Sequence, residues 1–464
     1  MGAVRHWVSG IILTAGSVAI APQIVAQQEG ATPDSVQRSL ESRVDELDQQ
    51  VRILQRLREL AADSAAAAAK DKVTATASPK DGFSIKSADG KYAVRLKGLL
   101  QTDGRFFLSD SAFPVTNTFF VRRARPILEA TVGKYLEFRV QPDFGQGTTV
   151  LFDAYSDVKV APAFAVRAGK FKPPVDLERL QSAGDIVFAE RALATNLAPN
   201  RDIGLQLSGD ISTGLFTWQA GVFNGVPDLG NGDGEISDAK DFAGRIFLQP
   251  FKTGTLAGLG FGAGGSTGLE RGTTAVPALA SYRTPGQQTW FRYASSTTTP
   301  TTNVFADGRR QRLAPQAYFY TGPLGLHGEY IESWQAVSRA GAASVKLKHT
   351  AWQATGSFFL TGEKNSWKSA APKRPFDPKA GTFGALELAA RYSELSIDDA
   401  TFPIFASPAT NPRRAKAYAI GLNWYLARAI KVVVDYEHTS FTGGTATGDR
   451  EPENFVVTRV QHSF

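Results

Sequence analysis

The chain has no cysteine and a single methionine in 464 residues. Freedom from cysteine suits a route through an oxidising compartment, where stray thiols are hazards. Long apolar runs are also missing. Hydrophobic residues make up 42% of the sequence, mean hydropathy is −0.18, and beyond Ala26 nothing approaches the ~18 uninterrupted apolar residues of a membrane helix. This argues against a helical membrane protein, so any membrane insertion must use strands. No catalytic or metal-ligating set stands out. His6 falls in the leader, and His327, His349, His438 and His462 are scattered without ligand spacing. There is no G-x-S-x-G nucleophile elbow. Neither an enzyme, a cofactor nor a metal is expected.

The balance of charge is basic, 51 Lys+Arg against 44 Asp+Glu, with a pI near 9.4. Such a balance is either a solvated surface or an attraction for an anionic solute, lipid or nucleic acid. The sequence has no basic patch interleaved with aromatics, so nucleic acid is not expected as a partner.

Residues 1–26 read as a secretory signal. Arg5 and His6 precede an apolar stretch from Trp7 to Ala21, and small residues precede a cut after Ala26. A retained anchor helix is the alternative. Within 27–60, Leu40, Val44, Leu47, Val51 and Leu54 step by four and three, the a/d spacing of a coiled coil. Three or so heptads are marginal alone and hold if the chains are already gathered; otherwise this is an amphipathic helix lying on its own domain. Residues 61–81, rich in Ala, Ser and Thr, are expected to be a linker.

From Lys91 onward one grammar repeats. In KYAVRLKGLLQTDGRFFL, Tyr92, Val94, Leu96, Leu100, Phe106 and Leu108 share a face, while Arg95, Lys97, Gln101, Asp103 and Arg105 share the other. The pattern recurs in TAWQATGSFFL, FGALELAARYSEL and IKVVVDYEHT. The strands are ~10 residues or more, longer than the usual five or six of globular sheets, and their polar faces carry charges. That favours a barrel with lipid outside and water inside. Sixteen strands are expected, near 91–108, 117–131, 134–144, 149–160, 163–172, 202–210, 214–224, 240–250, 256–266, 312–321, 325–337, 349–361, 383–396, 415–426, 429–441 and 454–464. An even number puts both barrel ends on one side, the short turns with them and the long connections opposite; 362–382 is too long for its side. The alternating segment ending in Phe464 is similar to the C-terminal aromatic signature by which outer-membrane barrels are recognised for insertion.

The blocks FFVRRARPILEATVGKYLEFRVQPDFG, FDAYSDVKV, RAGKFKPPVDLERLQSAGDIVFAERAL and APNRDIGLQLSGD resemble the phosphate-selective porin O and P family. So do SFFLTGEKNSW with PFDPKAGTFGALELAARYSEL, and AIGLNWYLARAIKVVVDYEHT. The likeness covers roughly residues 82–464. It implies an all-β, 16-stranded antiparallel outer-membrane barrel, a homotrimer passing small anions such as phosphate, in contact with outer-membrane lipid. It also implies that 173–201 is a loop folded inward to narrow the pore, and it accounts for the insertion at 362–382.

An anion in a narrow pore gives up hydration, and fixed cations with oriented N–H donors replace it. Arg95, Lys97, Arg105, Arg122, Arg123, Arg125, Lys170 and Lys172 are the candidate lining residues. Arg122 and Arg123 match the position of a paired-Arg motif in the resembled family, although adjacent residues on a strand face opposite ways unless a bulge intervenes. Each cation has a plainer alternative, a salt bridge to a lumen carboxylate such as Asp103, Asp153 or Asp157. Arg179, Arg191 and Arg201 could join from the loop. Asn231 to Ser237, NGDGEIS, looks like part of a calcium loop but has Leu229 and Lys240 where the first and twelfth ligands belong, so it reads as a plain loop. The rival functions are a general or sugar-type pore, a tether from outer membrane to cell wall through the coiled coil, and a barrel enzyme acting on lipid.

Overall fold

The computed structural model describes residues 33–70, 73–79, 82–108, 115–235, 237–340 and 342–464, with backbone alone at 65–70. The expected signal at 1–26 and the first residues of the 27–60 segment lie outside these. The chain divides into two units at residue 70. In the first, the described part is one helix, α1 (Pro33–Lys70). It runs into the stretch expected to be a linker because AADSAAAAAK is dominated by alanine, the best helix former. Ion pairs one turn apart, Asp34 with Arg38 and Asp48 with Arg52, both at 2.7 Å, support it. Leu40, Val44, Leu47, Val51 and Leu54 are all exposed along it.

The second unit opens with a hairpin, β1 (Thr74–Ser78) and β2 (Gly82–Lys86). The barrel follows: β3 (Tyr92–Phe107), β4 (Thr118–Val132), β5 (Leu136–Asp143), β6 (Val150–Ala161), β7 (Phe164–Phe171), β8 (Asp202–Ile211), β9 (Phe216–Phe223), β10 (Asp241–Leu248) and β11 (Leu259–Arg271). A second hairpin, β12 (Ser281–Arg283) and β13 (Thr289–Arg292), stands apart inside a loop. The barrel resumes with β14 (Phe305–Thr321), β15 (Leu324–Arg339), β16 (Ala342–Phe359), β17 (Ala385–Ser396), β18 (Pro412–Ala427), β19 (Ile430–Gly443) and β20 (Glu453–Ser463). Each barrel strand pairs antiparallel with the next, and β20 returns to β3 from Phe455↔Phe107 to Ser463↔Leu99. The 18-stranded sheet is thus a closed cylinder of sixteen strands plus the β1–β2 hairpin.

Closure leaves no lipid-facing strand edge, the condition for strands to cross a bilayer. Where β20 ends, β2 takes its place along β3, pairing Phe83↔Leu96 through Lys86↔Ala93. Phe464 stays in the ladder through Gly98, and its ring meets Phe83 edge-on at 5.8 Å. A Cβ on Gly98 would lie 2.7 Å from that ring.

Alternation sorts the faces as expected. On β18, Tyr418, Ile420 and Leu422 are exposed while Ala417, Ala419 and Asn423 are buried; on β19, Val434 and Tyr436 point out while Asp435 and Glu437 are buried inside. On the outer face a row of aromatics crosses Trp352, Tyr392 and Tyr418, each neighbouring pair with ring centres 4.8 Å apart. Trp424, six residues along β18, meets Phe376 at 5.4 Å. Rings at both margins of an apolar band are the girdles of a transmembrane barrel. No described helix is long and apolar enough to cross a membrane.

Three connections fold into the cylinder. Residues 172–201 enter from the long-loop end and are nearly all buried. Residues 272–304 enter beside them, burying Tyr282, Trp290 and Phe291 against Ile331, Leu347 and Leu395 of the inner wall. The interior is therefore largely apolar where this loop covers it, and elsewhere polar with smaller apolar clusters such as Phe188 with Ala389 and Ala419. Part of the connection 360–384, around Trp367 to Ser369, enters from the short-turn end, where Trp367 stacks on Tyr318 at 5.6 Å. That occupation of the interior is why this connection is far longer than a turn.

Leu422→Arg, placed in the apolar band, is expected to destabilise the barrel by ~2–4 kcal/mol. Heat-dependent gel mobility measures this, and an unchanged unfolding temperature would contradict the lipid-facing assignment.

Candidate functional site

The inward segment 172–201 contains only the short helix α2 (Leu177–Leu180) and one 3-10 stretch. Irregular backbone at this depth needs partners for its polar groups. The wall supplies them. Glu329 accepts from the Leu177 N–H at 2.7 Å, and Gln316 donates to the Val175 carbonyl at 2.9 Å. Gln101 donates to Ala183, Gln461 to Gly184 and Lys431 to Ile186. Asp435 accepts from Ala189, and Arg391 donates to the Glu190 carbonyl. Sequence made room as well: the Val175 carbonyl lies 2.1 Å from where a Cβ on Gly264 of β11 would stand.

The eight candidate cations are placed as follows. Lys97 pairs with Glu129 at 2.9 Å, with Arg95 at 4.0 Å from the same carboxylate. Arg105 donates to the Gly286 carbonyl at 3.0 Å. Arg125 pairs with Asp143 at 2.7 Å, and Lys170 with Asp233. The ladder between β3 and β4 slips one residue, from Gln101↔Arg123 to Thr102↔Val121, leaving Arg122 as a bulge. That resolves the conflict of strand parity: Arg122 and Arg123 both reach Glu190, at 3.0 and 3.4 Å. Arg459 joins them from the far side of the seam at 3.3 Å. Burial alone would raise the Glu190 carboxyl, but Arg122, Arg123 and Arg459 overturn this and hold it well below the usual carboxylate range. Asp103 and Asp157 bind Arg459 and Arg167, and Asp153 binds Arg201 at 3.1 Å. Most wall cations are thus neutralised locally.

Lys172 differs. Its Nζ donates to the carbonyls of Leu180 (3.3 Å) and Gln181 (2.8 Å). Arg191 donates to the Glu178 carbonyl at 3.1 Å and to the same Gln181 carbonyl at 2.8 Å. Both side chains are half-buried, and neither has a carboxylate at ion-pair distance among the described residues. They meet at one oxygen from opposite sides. Lys172 and Leu180 line a cavity of about 480 Å³ on the short-turn side; Arg179 and Arg191 line one of about 500 Å³ on the long-loop side. The Gln181 carbonyl thus accepts from one cation of each cavity. Eight Lys or Arg and three Asp or Glu line the first cavity, and five and two line the second, so both hold a positive field.

Lys97, Arg125 and Lys172 open on the first cavity, and Arg122 and Arg123 on the second. Arg105 faces a separate groove, and Lys170 neither cavity. Sequence reasoning passed over Arg139, Arg167, Lys368 and Arg428 in the first and Arg283 in the second. Arg139 was legible on the polar face of KYLEFRVQ; Lys368 was not, since only the folded insertion brings it inside. The insertion clamps the loop: Gln181 Nε2 donates to the Trp367 carbonyl (2.8 Å), and Ser369 N–H to Asp185 (2.9 Å). In the would-be calcium loop, Asp233 binds Lys170 and Glu235 binds Lys240, and no metal-holding cluster occurs among the described residues.

A model of the family described as phosphate-selective porin O and P matches residues 94–464. The chain belongs to this family. As a member it is an outer-membrane porin, a channel by construction. A curated relative, Porin O of Pseudomonas aeruginosa, is 23% identical over 415 residues, covering 83% of this chain and 91% of its own. Among solved structures, the outer membrane channel DcaP of Acinetobacter baumannii shares the fold, with TM-score 0.52, 11% identity, and 82% and 99% of the two chains covered. So does a loop-deletion mutant of OmpT, an outer membrane protein of Vibrio cholerae, with TM-score 0.51, 14% identity, and 81% and 100% covered. The porin's short turns accordingly face the periplasm and its long loops the exterior.

Glu190→Gln is expected to leave Arg122 and Arg123 without a carboxylate, Arg459 keeping Asp103, and to loosen the loop, at a cost of roughly 3–5 kcal/mol. Single-channel recordings should show noisier current than wild type; equally quiet traces would mean the carboxylate does not hold the loop.

Proposed function

We propose that the porin is a passive channel selective for small anions, with phosphate or a related oxyanion as solute. The observation that carries this reading is the pair Lys172 and Arg191, two carboxylate-free cations, one from each cavity, converging on the Gln181 carbonyl. An arriving anion displaces a neutral carbonyl from each cation rather than a bonded carboxylate. Arg191 offers a planar fork with a fixed charge and Lys172 a mobile ammonium. Arg283 lies before them on the exterior side, and Lys368 and Arg428 follow on the periplasmic side, so the ion passes along several moderate sites rather than resting in one. The paired cations, including Arg122 and Arg123, then set the shape of the loop and the background field.

A sugar-type pore would present open aromatic faces. Tyr155 does line the periplasmic-side cavity, but the Arg167 guanidinium covers its ring at 3.9 Å, which favours the anion reading. For assembly we favour a homotrimer, supported by the exposed heptad stripe of α1, an apolar seam that needs partner helices. If the helix is instead a cell-wall tether and the barrel a plug, deleting residues 34–80 abolishes function; the channel reading expects conduction to persist.

Lys172→Ala and Arg191→Ala are each expected to lower anion-over-cation preference and weaken phosphate block of chloride current in planar bilayers. An unchanged reversal potential in a salt gradient with either variant would reject the assignment. Burial, with Arg201 and Arg191 nearby, pulls the Lys172 ammonium well below its ordinary range. A lowered pKa means the charge is complete at low pH and lost as pH rises, earlier than for an ordinary lysine. Phosphate block should therefore fade as pH rises, at a lower pH than an ordinary lysine would give, and Lys172→Arg, which keeps its charge, should flatten that decline.

A further inference from the structure

The lumen explains one set of cations; a second set sits on the outer face and has no part in conduction. The aromatic row Trp352, Tyr392 and Tyr418 fixes the level of the external membrane interface on β16–β18. Two residues outward along the strands, Glu394 faces Lys416, which faces Ser440. Two residues further, Thr350, Ser396, Arg414 and Thr442 form a continuous row across β16 to β19. Beside it stands Lys348. Lys348, Thr350, Ser396, Arg414 and Thr442 line a cleft of about 490 Å³ on the outward face, closed at its loop edge by Asp398, Asp399 and Arg413.

The carboxylates near this cleft are already engaged. Asp398 accepts from the backbone N–H groups of Lys348 (2.7 Å) and Ala400 (2.9 Å). Asp399 binds Arg413 at 2.7 Å, and Glu332 binds Lys348 at 2.6 Å. Glu394 accepts from the Tyr392 hydroxyl at 2.8 Å and lies 3.3 Å from Arg414. Arg414 and Lys348 remain nearly half exposed, and Lys416 has no carboxylate at ion-pair distance among the described residues. The outward face thus changes within two strand steps from rings, to charges, to hydroxyls flanked by cations. Phosphate oxygens match such donors, and sugar hydroxyls match Thr350, Ser396 and Thr442.

We propose that this cleft binds the phosphorylated sugar headgroup of a glycolipid of the external leaflet, with Lys348, Arg414 and Lys416 on its phosphate and the acyl chains lying on the apolar band below Tyr392 and Tyr418. The site is distinct from the pore and faces the membrane, not the lumen.

The test uses the full-length porin in detergent, with bis-phosphorylated lipid A as probe and chemically dephosphorylated lipid A as control. Bound lipid is read by native mass spectrometry and by the shift in unfolding temperature. Wild type is expected to bind the phosphorylated lipid at least tenfold more tightly than the control. The combined variant Lys348→Gln, Arg414→Gln, Lys416→Gln is expected to lose that preference while keeping wild-type single-channel conductance, which reports an intact barrel. Should the triple variant insert poorly, Arg414→Gln alone is expected to weaken binding several-fold. The proposal is overturned if wild type binds both lipids equally, if the variants keep the preference, or if they change oligomeric mass without changing bound lipid.

Discussion

A segment of irregular backbone inside a closed cylinder must satisfy its hydrogen bonds from the wall around it, because neither a helix nor a ladder does so for it. Residues 172–201 impose that demand, and much of the polar interior answers it. Gln101, Gln316, Glu329, Arg391, Lys431, Asp435 and Gln461 come from six strands of the arc from β14 round to β3 and bind loop backbone. A residue that looks like a pore-lining charge in sequence is often a strut in the fold.

The same demand shapes the charges that remain. An unpaired ion in a low-dielectric wall is costly, so arginines and carboxylates of the lining come together as Arg459 with Asp103, Arg125 with Asp143 and Arg310 with Asp241. Positive character survives where the loop forbids a carboxylate partner and offers carbonyls instead. The Gln181 carbonyl, shared by Lys172 and Arg191, is such a place, and Arg283 of the neighbouring loop lines the same cavity as Arg191. Selectivity on this view comes from a few cations left over after the architecture is satisfied.

The barrel was legible because lipid enforces contrast between faces. Tyr418, Ile420 and Leu422 against Ala419, Gly421 and Asn423 need no other information. Strand ends were less legible beyond the lipid, where contrast fades: β14 begins at Phe305 and β16 at Ala342, each seven residues before the sequence pattern suggested, in FADGRRQ and AASVKLK. The hairpin β1–β2 was missed because TATAS and GFSIK are short and polar, and β12–β13 because its apolar residues are buried by a loop rather than alternating on a wall. At the site, Arg122 and Arg123 were suggested by a motif and made compatible only by a bulge that no residue pattern announces. Lys172 was visible beside β7; its meeting with Arg191 depends on the course of the eighteen residues between them, a tertiary fact.

The seam of the cylinder is completed by two different pieces of chain. One end is zipped by β20 and the other by β2, both on β3. Lys70, the last residue of α1, stands only four positions before β1. Any mechanical load on β1 is therefore delivered to the join of the wall itself, through a ladder of five residue pairs to β2 and four more to β3. The contact of Phe83 with Phe464 lies at that join, so traction on the β1–β2 hairpin is felt first by the closure of the barrel and only afterwards by its loops.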